Sequence, residues 1–383
     1  MTIDELTLAG CAILILLTIV TPLINPFFRK SFINAENKDD DEKIDAALPK
    51  ITILLAPHDN ARELEQHLPL MLAQDYPDFQ VVVVAEKGDS ETEDVLKRFA
   101  SDRHLYYTYI PESSRYMSRK KLAISLGVKA AKSEWILLTE PTCAPVSDQW
   151  LRKMSAHCND DKNLVIGYSN YNKDTSAYKR FEQLRTSFYL FRKAWGKKAY
   201  RCNTRNLMFR KSEFLKADGF LGNLELVRGE YDFIVNKFAR ENSTAMELST
   251  EARLVENEPS DKTWTNSHLY DIASRKLLKR KFTPRLLAFT DQLALHLNYL
   301  AILAALIFAA ITHRWVLAAA AVLSLLITLF MRASIVRKAI RPFEEGISGI
   351  KALYYEVTHV WRNLGYRYKY WRADKNDFTS HKL

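Results

Sequence analysis

The chain is poor in cysteine, and its four, Cys11, Cys143, Cys158 and Cys202, have none of the short spacings that hold zinc. They read as free thiols facing a reducing compartment. No internal repeat occurs, and no low-complexity tract beyond the acidic residues 35–43 (AENKDDDEK), which excludes repeat architectures. The formal net charge is +10, yet no helix-turn-helix, RNA-recognition or zinc-finger pattern accompanies it, so nucleic acid is not the expected partner. The first apolar run has no basic lead-in, since Asp4 and Glu5 precede it, and no small-x-small site follows it. That disfavours a cleaved signal peptide, and a retained anchor is the expectation.

What the chain does have is apolar length. It has 383 residues and 48% hydrophobic content, and three runs stand out: residues 6–24, 293–311 and 315–331. Each is about long enough to cross a hydrocarbon core of roughly 30 Å as a helix. The last two, separated only by Thr312, His313 and Arg314, read as a membrane hairpin. Beyond His296 the three runs carry no charge, which disfavours a transporter or receptor. Arg29 and Lys30 follow the first run, Arg275 to Arg285 precede the second without an acid, and Arg332, Arg337, Lys338 and Arg341 follow the third. All three clusters fall on one side if the middle region and the tail are both cytoplasmic. Most of the excess positive charge then faces anionic headgroups. The expected layout is an anchor at 1–28, a linker at 29–48, a catalytic-type domain at 49–285, a transmembrane hairpin at 286–335 and a cytoplasmic tail at 336–383.

The middle region alternates. Residues 51–56, 81–85 and 135–138 are buried-strand runs, and residues 62–73, 94–100 and 120–131 are helical candidates. Such alternation implies an α/β fold with a mostly parallel sheet and right-handed crossovers. The densest signal is residues 133–150, SEWILLTEPTCAPVSDQW. A strand ending at Thr139-Glu140-Pro141-Thr142 presents Glu140 at the carboxyl edge of the sheet, where open α/β folds bind ligands.

The frame T-x-x-x-C-x-P-x-S-x-x-W around that edge resembles bacterial, membrane-anchored members of glycosyltransferase family 2, which have a Rossmann-like GT-A fold. The resemblance covers roughly residues 49–281. In the family this edge carries Asp-x-Asp, which holds a divalent cation against the diphosphate of a nucleotide-sugar, whereas here the triplet is Glu140-Pro141-Thr142. Ala56-Pro57-His58-Asp59-Asn60 sits where the family has a substrate-side loop, placing Pro57 at the donor. Glu86 matches the acid that contacts uracil or ribose. Lys120, in KKLAISLG, matches the lysine of G-K-x-x-A-L-N-x-G near the diphosphate, with Arg119 in place of the glycine and Ser125 in place of the asparagine. Residues 204–210, with Arg205 and Asn206, resemble the segment lining the donor sugar. After Gly219-Phe220, the register puts Glu230 on the catalytic base with Asp232 supporting it. Trp264, Asn266 and His268 fall where the family has acceptor-site residues.

The resemblance implies an inverting, single-sugar transfer from a nucleoside diphosphate sugar to a lipid-linked or saccharide acceptor at the bacterial inner membrane, for envelope polysaccharide or glycolipid synthesis. The Q-x-x-R-W motif of polymer-extruding synthases is missing. Glu140 and Thr142 would supply oxygen to Mg²⁺ or Mn²⁺. Neutralisation of the diphosphate by Lys120 and nearby arginines, or an impaired relative acting as a scaffold, are the alternatives. Taken alone, Glu86 and Lys120 are equally surface charges, Glu230 and Asp232 a helix-start acidic pair, and Trp264 a core residue.

Overall fold

The computed structural model describes residues 4–28, 48–110, 117–195 and 198–379. The acidic stretch 35–43, expected as a linker, and Arg29 and Lys30 lie outside the described residues. The chain forms two compact units. One comprises Ser31–Ser176, Leu190–Lys281 and Tyr366–Leu383, the other Met1–Lys30, Ala177–Tyr189 and Phe282–Gly365.

The first unit is α/β. A seven-stranded sheet is built from β1 (Ile51–Leu55), β2 (Phe79–Glu86), β3 (Leu105–Ile110), β4 (Trp135–Leu138), β6 (Leu164–Gly167), β8 (Leu207–Arg210) and β9 (Thr244–Glu247). Its order is β3-β2-β1-β4-β8-β6-β9. A smaller sheet, in the order β5-β10-β7, holds β5 (Cys143–Pro145), β7 (Ser169–Tyr171) and β10 (Leu254–Glu256). All five residues of β1 are buried, as the unbroken apolar run demands of a central parallel strand. It pairs in parallel with β2 and β4, so the strand order reverses around it and a crevice opens at its carboxyl end. Within the large sheet, β8 runs antiparallel to its neighbours, β4 and β6.

Helices Ala61–Leu72, Ser90–Arg98 and Arg119–Ala130 connect the first four strands. Leu64, Leu68 and Met71 bury one face of the first against the sheet. The second starts four residues before the expected 94, because the Asp89 side chain accepts from the Thr92 N–H at 3.1 Å and caps a polar first turn without apolar periodicity. In the third, Gly127 lets the helix meet β1, since a Cβ there would lie 2.1 Å from the Leu54 methyl carbon. All four cysteines are free.

The second unit contains three helices long and apolar enough to cross a membrane: Glu5–Ile24, Phe282–Ile311 and Trp315–Phe343. Leu14, Ile302, Ala309, Leu317 and Ala321 form their shared core. The expectation that these spans carry no buried charge beyond His296 is corrected. The helices extend past the apolar runs, so Asp291 and Arg332 belong to them and are fully buried. Arg332 Nε donates to Glu356 at 2.9 Å and an Nη donates to the Thr21 carbonyl at 3.0 Å, while the Asn25 amide donates to the same Glu356 at 2.6 Å. A buried charge is tolerated only with this degree of pairing.

Gly127→Ala should lower the unfolding midpoint in detergent, at a cost of about 1–3 kcal/mol typical of overpacking a close contact. An unchanged midpoint would show that the approach of this helix to β1 is not tight.

Candidate active site

The carboxyl edge of the large sheet gathers the charged groups. The Thr139 N–H makes a last ladder bond to the Leu54 carbonyl at 3.2 Å, and past it the Cys143 N–H donates to the Glu140 carbonyl at 3.0 Å, closing a turn around Pro141 that ends β4. His67 Nδ1 lies 2.7 Å from the Pro141 carbonyl and pins the turn from the helix below. Glu140 is thereby fixed at the edge, 8% exposed, in an ion pair with Lys120. Burial alone would raise its carboxyl pKa, but the charges of Lys120, Arg205 and Arg228 outweigh burial and hold it below the ordinary value.

Arg205 stands behind Glu140. Its backbone N–H donates to Ser169 Oγ at 3.0 Å, and its guanidinium lies 4.9 Å from the centre of the Tyr231 ring. Burial opposes its charge, yet Glu256 and Glu140 together keep it protonated well above its usual range. Glu256, on β10, accepts from Ser169 Oγ at 2.5 Å, and burial pushes its carboxyl up despite Arg205. Glu86, at the end of β2, is gripped on both oxygens, by His58 Nδ1 at 2.8 Å and by Arg119. Neither partner was singled out as a site residue in the sequence. Arg119 occupies the position where the family motif has glycine, so the departure supplies a cation to this edge.

Glu230 opens the helix Glu230–Phe238, preceded by Gly229 in the left-handed region at φ 106°. Glycine is required there, because a Cβ would also fall 2.9 Å from Ser274 Cβ. Glu230 is 4% exposed, and its Oε1 has no hydrogen-bond partner. The hydroxyl of neighbouring Tyr231, also without a hydrogen-bond partner, feels both Glu140 and Glu230. The loop delivering Glu230 is held from two sides. Lys121, fully buried, donates Nζ to the carbonyls of Asn223 and Leu226 and lies 5.0 Å from the centre of the Phe233 ring. On the other side the chain's far end docks: the Val227 N–H donates to the Phe378 carbonyl at 3.0 Å, and Leu226 bridges Thr379. Phe378 is buried against Tyr270 and Tyr370, at 5.4 and 5.1 Å between ring centres.

Among the expected residues, Lys120, Glu140 and Arg205 come together, and Tyr231 links them to Glu230. Asp232 does not join Glu230. Its Oδ1 faces Arg201 at 3.6 Å, and burial raises its carboxyl while Arg201 opposes. Asn206 is fully buried, accepting from Trp150 Nε1 at 3.1 Å and donating to the Ala252 carbonyl at 2.8 Å, so its amide ties a helix start to the loop before β10. Pro57 is buried just past β1. Trp264 donates Nε1 to the Tyr366 hydroxyl at 2.9 Å, and His268 stacks on the same ring at 4.1 Å. Tyr366 was outside every sequence expectation for this region.

The residues do not fit a cation held by the protein. Glu140 is one carboxylate already engaged by Lys120, with arginines acting on it, and the nearest heavy atom to the Thr142 hydroxyl in its hydrogen-bond set is Cys143 Sγ at 4.0 Å. Among the described residues, no group of three or more His, Cys, Asp or Glu is placed to hold a metal ion. Hard cations need several oxygen ligands, and this edge offers mainly cations.

A mostly parallel sheet with a gripped carboxylate at β2, a lysine–arginine cluster at β4 and an acidic helix start defines a glycosyltransferase domain of GT-A fold. Residues 58–215 match the model of Glycosyl transferase family 2, and that segment is a domain of this family. Glu230 and the docked carboxyl-terminal residues lie beyond the matched segment, so their roles rest on geometry alone. No curated protein matches the chain. Among solved structures, a mannosyltransferase from Pyrobaculum calidifontis, in complex with GDP-Man and Mn²⁺, is similar at 14% identity and TM-score 0.49, covering 88% of this chain and 99% of that one. S. aureus TarS 1-349 in complex with UDP-GlcNAc is similar at 9% identity and TM-score 0.42, covering 84% and 92%. At such values no residue's role passes from them to this chain.

Burial brings the Lys121 ammonium down to about 8, against the pull of Glu230 and Glu225. Between that value and 10.5 the unfolded chain keeps a proton that the folded chain has released, so Lys121 adds stability as pH rises through the window. Denaturation at about pH 7.5 and about pH 10 should show the parent gaining on Lys121→Met. A pH-independent difference would overturn the assignment.

Proposed function

We propose that the protein transfers a single sugar, with inversion, from a nucleoside diphosphate sugar to an acceptor hydroxyl, using Glu230 as base. The observation that carries this is the buried Glu230 carboxylate with Oε1 unpartnered, linked through Tyr231 to a cation-lined turn at Glu140. The acceptor hydroxyl gives its proton to Glu230, and its oxygen attacks the anomeric carbon. The bond to the diphosphate breaks, and the electron pair departs onto the phosphate oxygen. Lys120, Arg205 and Arg228 meet that charge. Lys120 has three N–H donors and commits one to Glu140, so it can serve both groups. In this reading the chain's own cations take the place of Mg²⁺ or Mn²⁺ at the diphosphate. Glu86, oriented by His58 and Arg119, faces the nucleoside.

The acceptor is lipid-linked, which the three span-length helices support by keeping the domain at a membrane. The basic clusters flanking the spans support a cytoplasmic domain at a bacterial inner membrane and a role in envelope polysaccharide or glycolipid synthesis. The scaffold alternative keeps one supporting observation: Glu140 and Lys120 already satisfy each other without a ligand.

Donor hydrolysis and transfer across a panel of nucleoside diphosphate sugars, with Mn²⁺ and with chelator, tests the reading, and activity should survive the chelator. Glu230→Gln should keep nucleotide binding and lose transfer by about 10²–10⁴-fold. By calorimetry, Lys120→Ala should weaken nucleoside diphosphate binding by roughly 1.5–3 kcal/mol. If neither substitution changes glycan output in cells while deletion of the protein does, the scaffold replaces the enzyme.

A further inference from the structure

The helix Gly349–Arg372 has its polarity inside out. Its buried positions are Ala352, Glu356 and His359, so two of the three are ionisable, and Glu356 is taken up by Arg332 and Asn25. Its exposed large apolar residues are Ile350, Tyr354, Trp361, Leu364, Tyr368 and Trp371. At about 100° per residue these six form one stripe along the whole helix, on the side away from Glu356 and His359. Exposure reaches 82% at Ile350 and 74% at Trp371, so none of the described residues covers either end. A helix facing water would carry the opposite pattern, and a stripe this long on a soluble surface marks an interaction site.

The composition identifies the occupant. Four of the six side chains are Trp or Tyr, the residues whose amphipathic rings favour the membrane–water boundary. Lys351, Arg362 and Lys369 are exposed, and their spacing aligns them along one flank of the stripe. The helix begins at Gly349, shortly after the third span-length helix ends at Phe343. Its own six ionisable residues from Glu356 onward (Glu356, His359, Arg362, Arg367, Lys369 and Arg372) bar it from the hydrocarbon interior.

We propose that this face lies flat in the headgroup layer of a bilayer, with Lys351 and Lys369 against anionic phospholipid. Rings and aliphatic side chains sink to the acyl boundary while the basic flank stays with the phosphates. The inference rests on the three long helices being spans, and not on the sugar-transfer chemistry.

The test uses the full chain in nanodiscs of phosphatidylcholine, with or without phosphatidylglycerol, carrying bromine either high or deep on the acyl chains. The contribution of each tryptophan is read as the fluorescence lost in Trp315→Phe, Trp361→Phe and Trp371→Phe. Trp315, at the start of a span, reports whether the bilayer is in place. The Trp361 and Trp371 components should be quenched by high bromine at least about twofold more than by deep bromine, as for a helix in the interface. The phosphatidylglycerol discs should strengthen that quenching, and Lys351→Gln with Lys369→Gln should remove the gain. If Trp315 is quenched by bromine while Trp361 and Trp371 are quenched only by aqueous iodide, the proposal falls and the face belongs to a protein partner. If none of the three responds to bromine, the proposal falls together with the membrane reading.

Discussion

Everything at the candidate site follows from keeping the Glu140 carboxylate charged where water is scarce. A buried acid tends to take up a proton, and only close cations reverse that tendency. Three elements supply them: the helix after β3 brings Lys120, the start of β8 brings Arg205, and the loop before Glu230 brings Arg228. The turn around Pro141 must therefore hold its shape, the antiparallel β8 must lie beside β4, and the loop must close over the edge. A cation-rich, rigid edge is what a leaving diphosphate needs, and it is assembled here even without the usual pair of aspartates.

The second unit solves a related problem in another way. Arg332 and Glu356 neutralise each other deep among apolar helices, and the Thr21 carbonyl and the Asn25 amide add one hydrogen bond to each. Replacing such a pair by well-fitted apolar residues often costs nothing, whereas losing one partner strands a charge. The pair therefore discriminates between arrangements of these helices more than it strengthens any one of them. Asn298, donating to Thr328 at 3.1 Å, does the same on a smaller scale.

The parallel half of the large sheet was legible because its strands are unbroken apolar runs ending in turn residues, and Glu86 and Glu140 sit where those runs stop. β8 could be recognised as a segment but not as an antiparallel insertion, since orientation leaves no mark on four residues of LMFR. The three residues each of β5, β7 and β10 are too short for any periodicity. Motif register directed attention to Lys120 and away from Lys121. The signal for Lys121 was present, because it shares the helix face of Ile124 and Val128. Asn206 was taken for a ligand contact because a family segment was matched as a block. Its amide is buried against Gly167, where a Cβ would fall 2.2 Å from the amide nitrogen.

The docking of Phe378 and Thr379 beside Leu226 and Val227 joins residues about 150 positions apart in sequence. Contacts of such separation form late, after the local helices and strand pairs have closed. During synthesis the sheet, the spans and the acidic helix can all be in place while the loop before Glu230 still lacks one of its two supports. The support of this loop by Phe378 and Thr379 is thus a long-range contact, added to the shorter-range hold from Lys121.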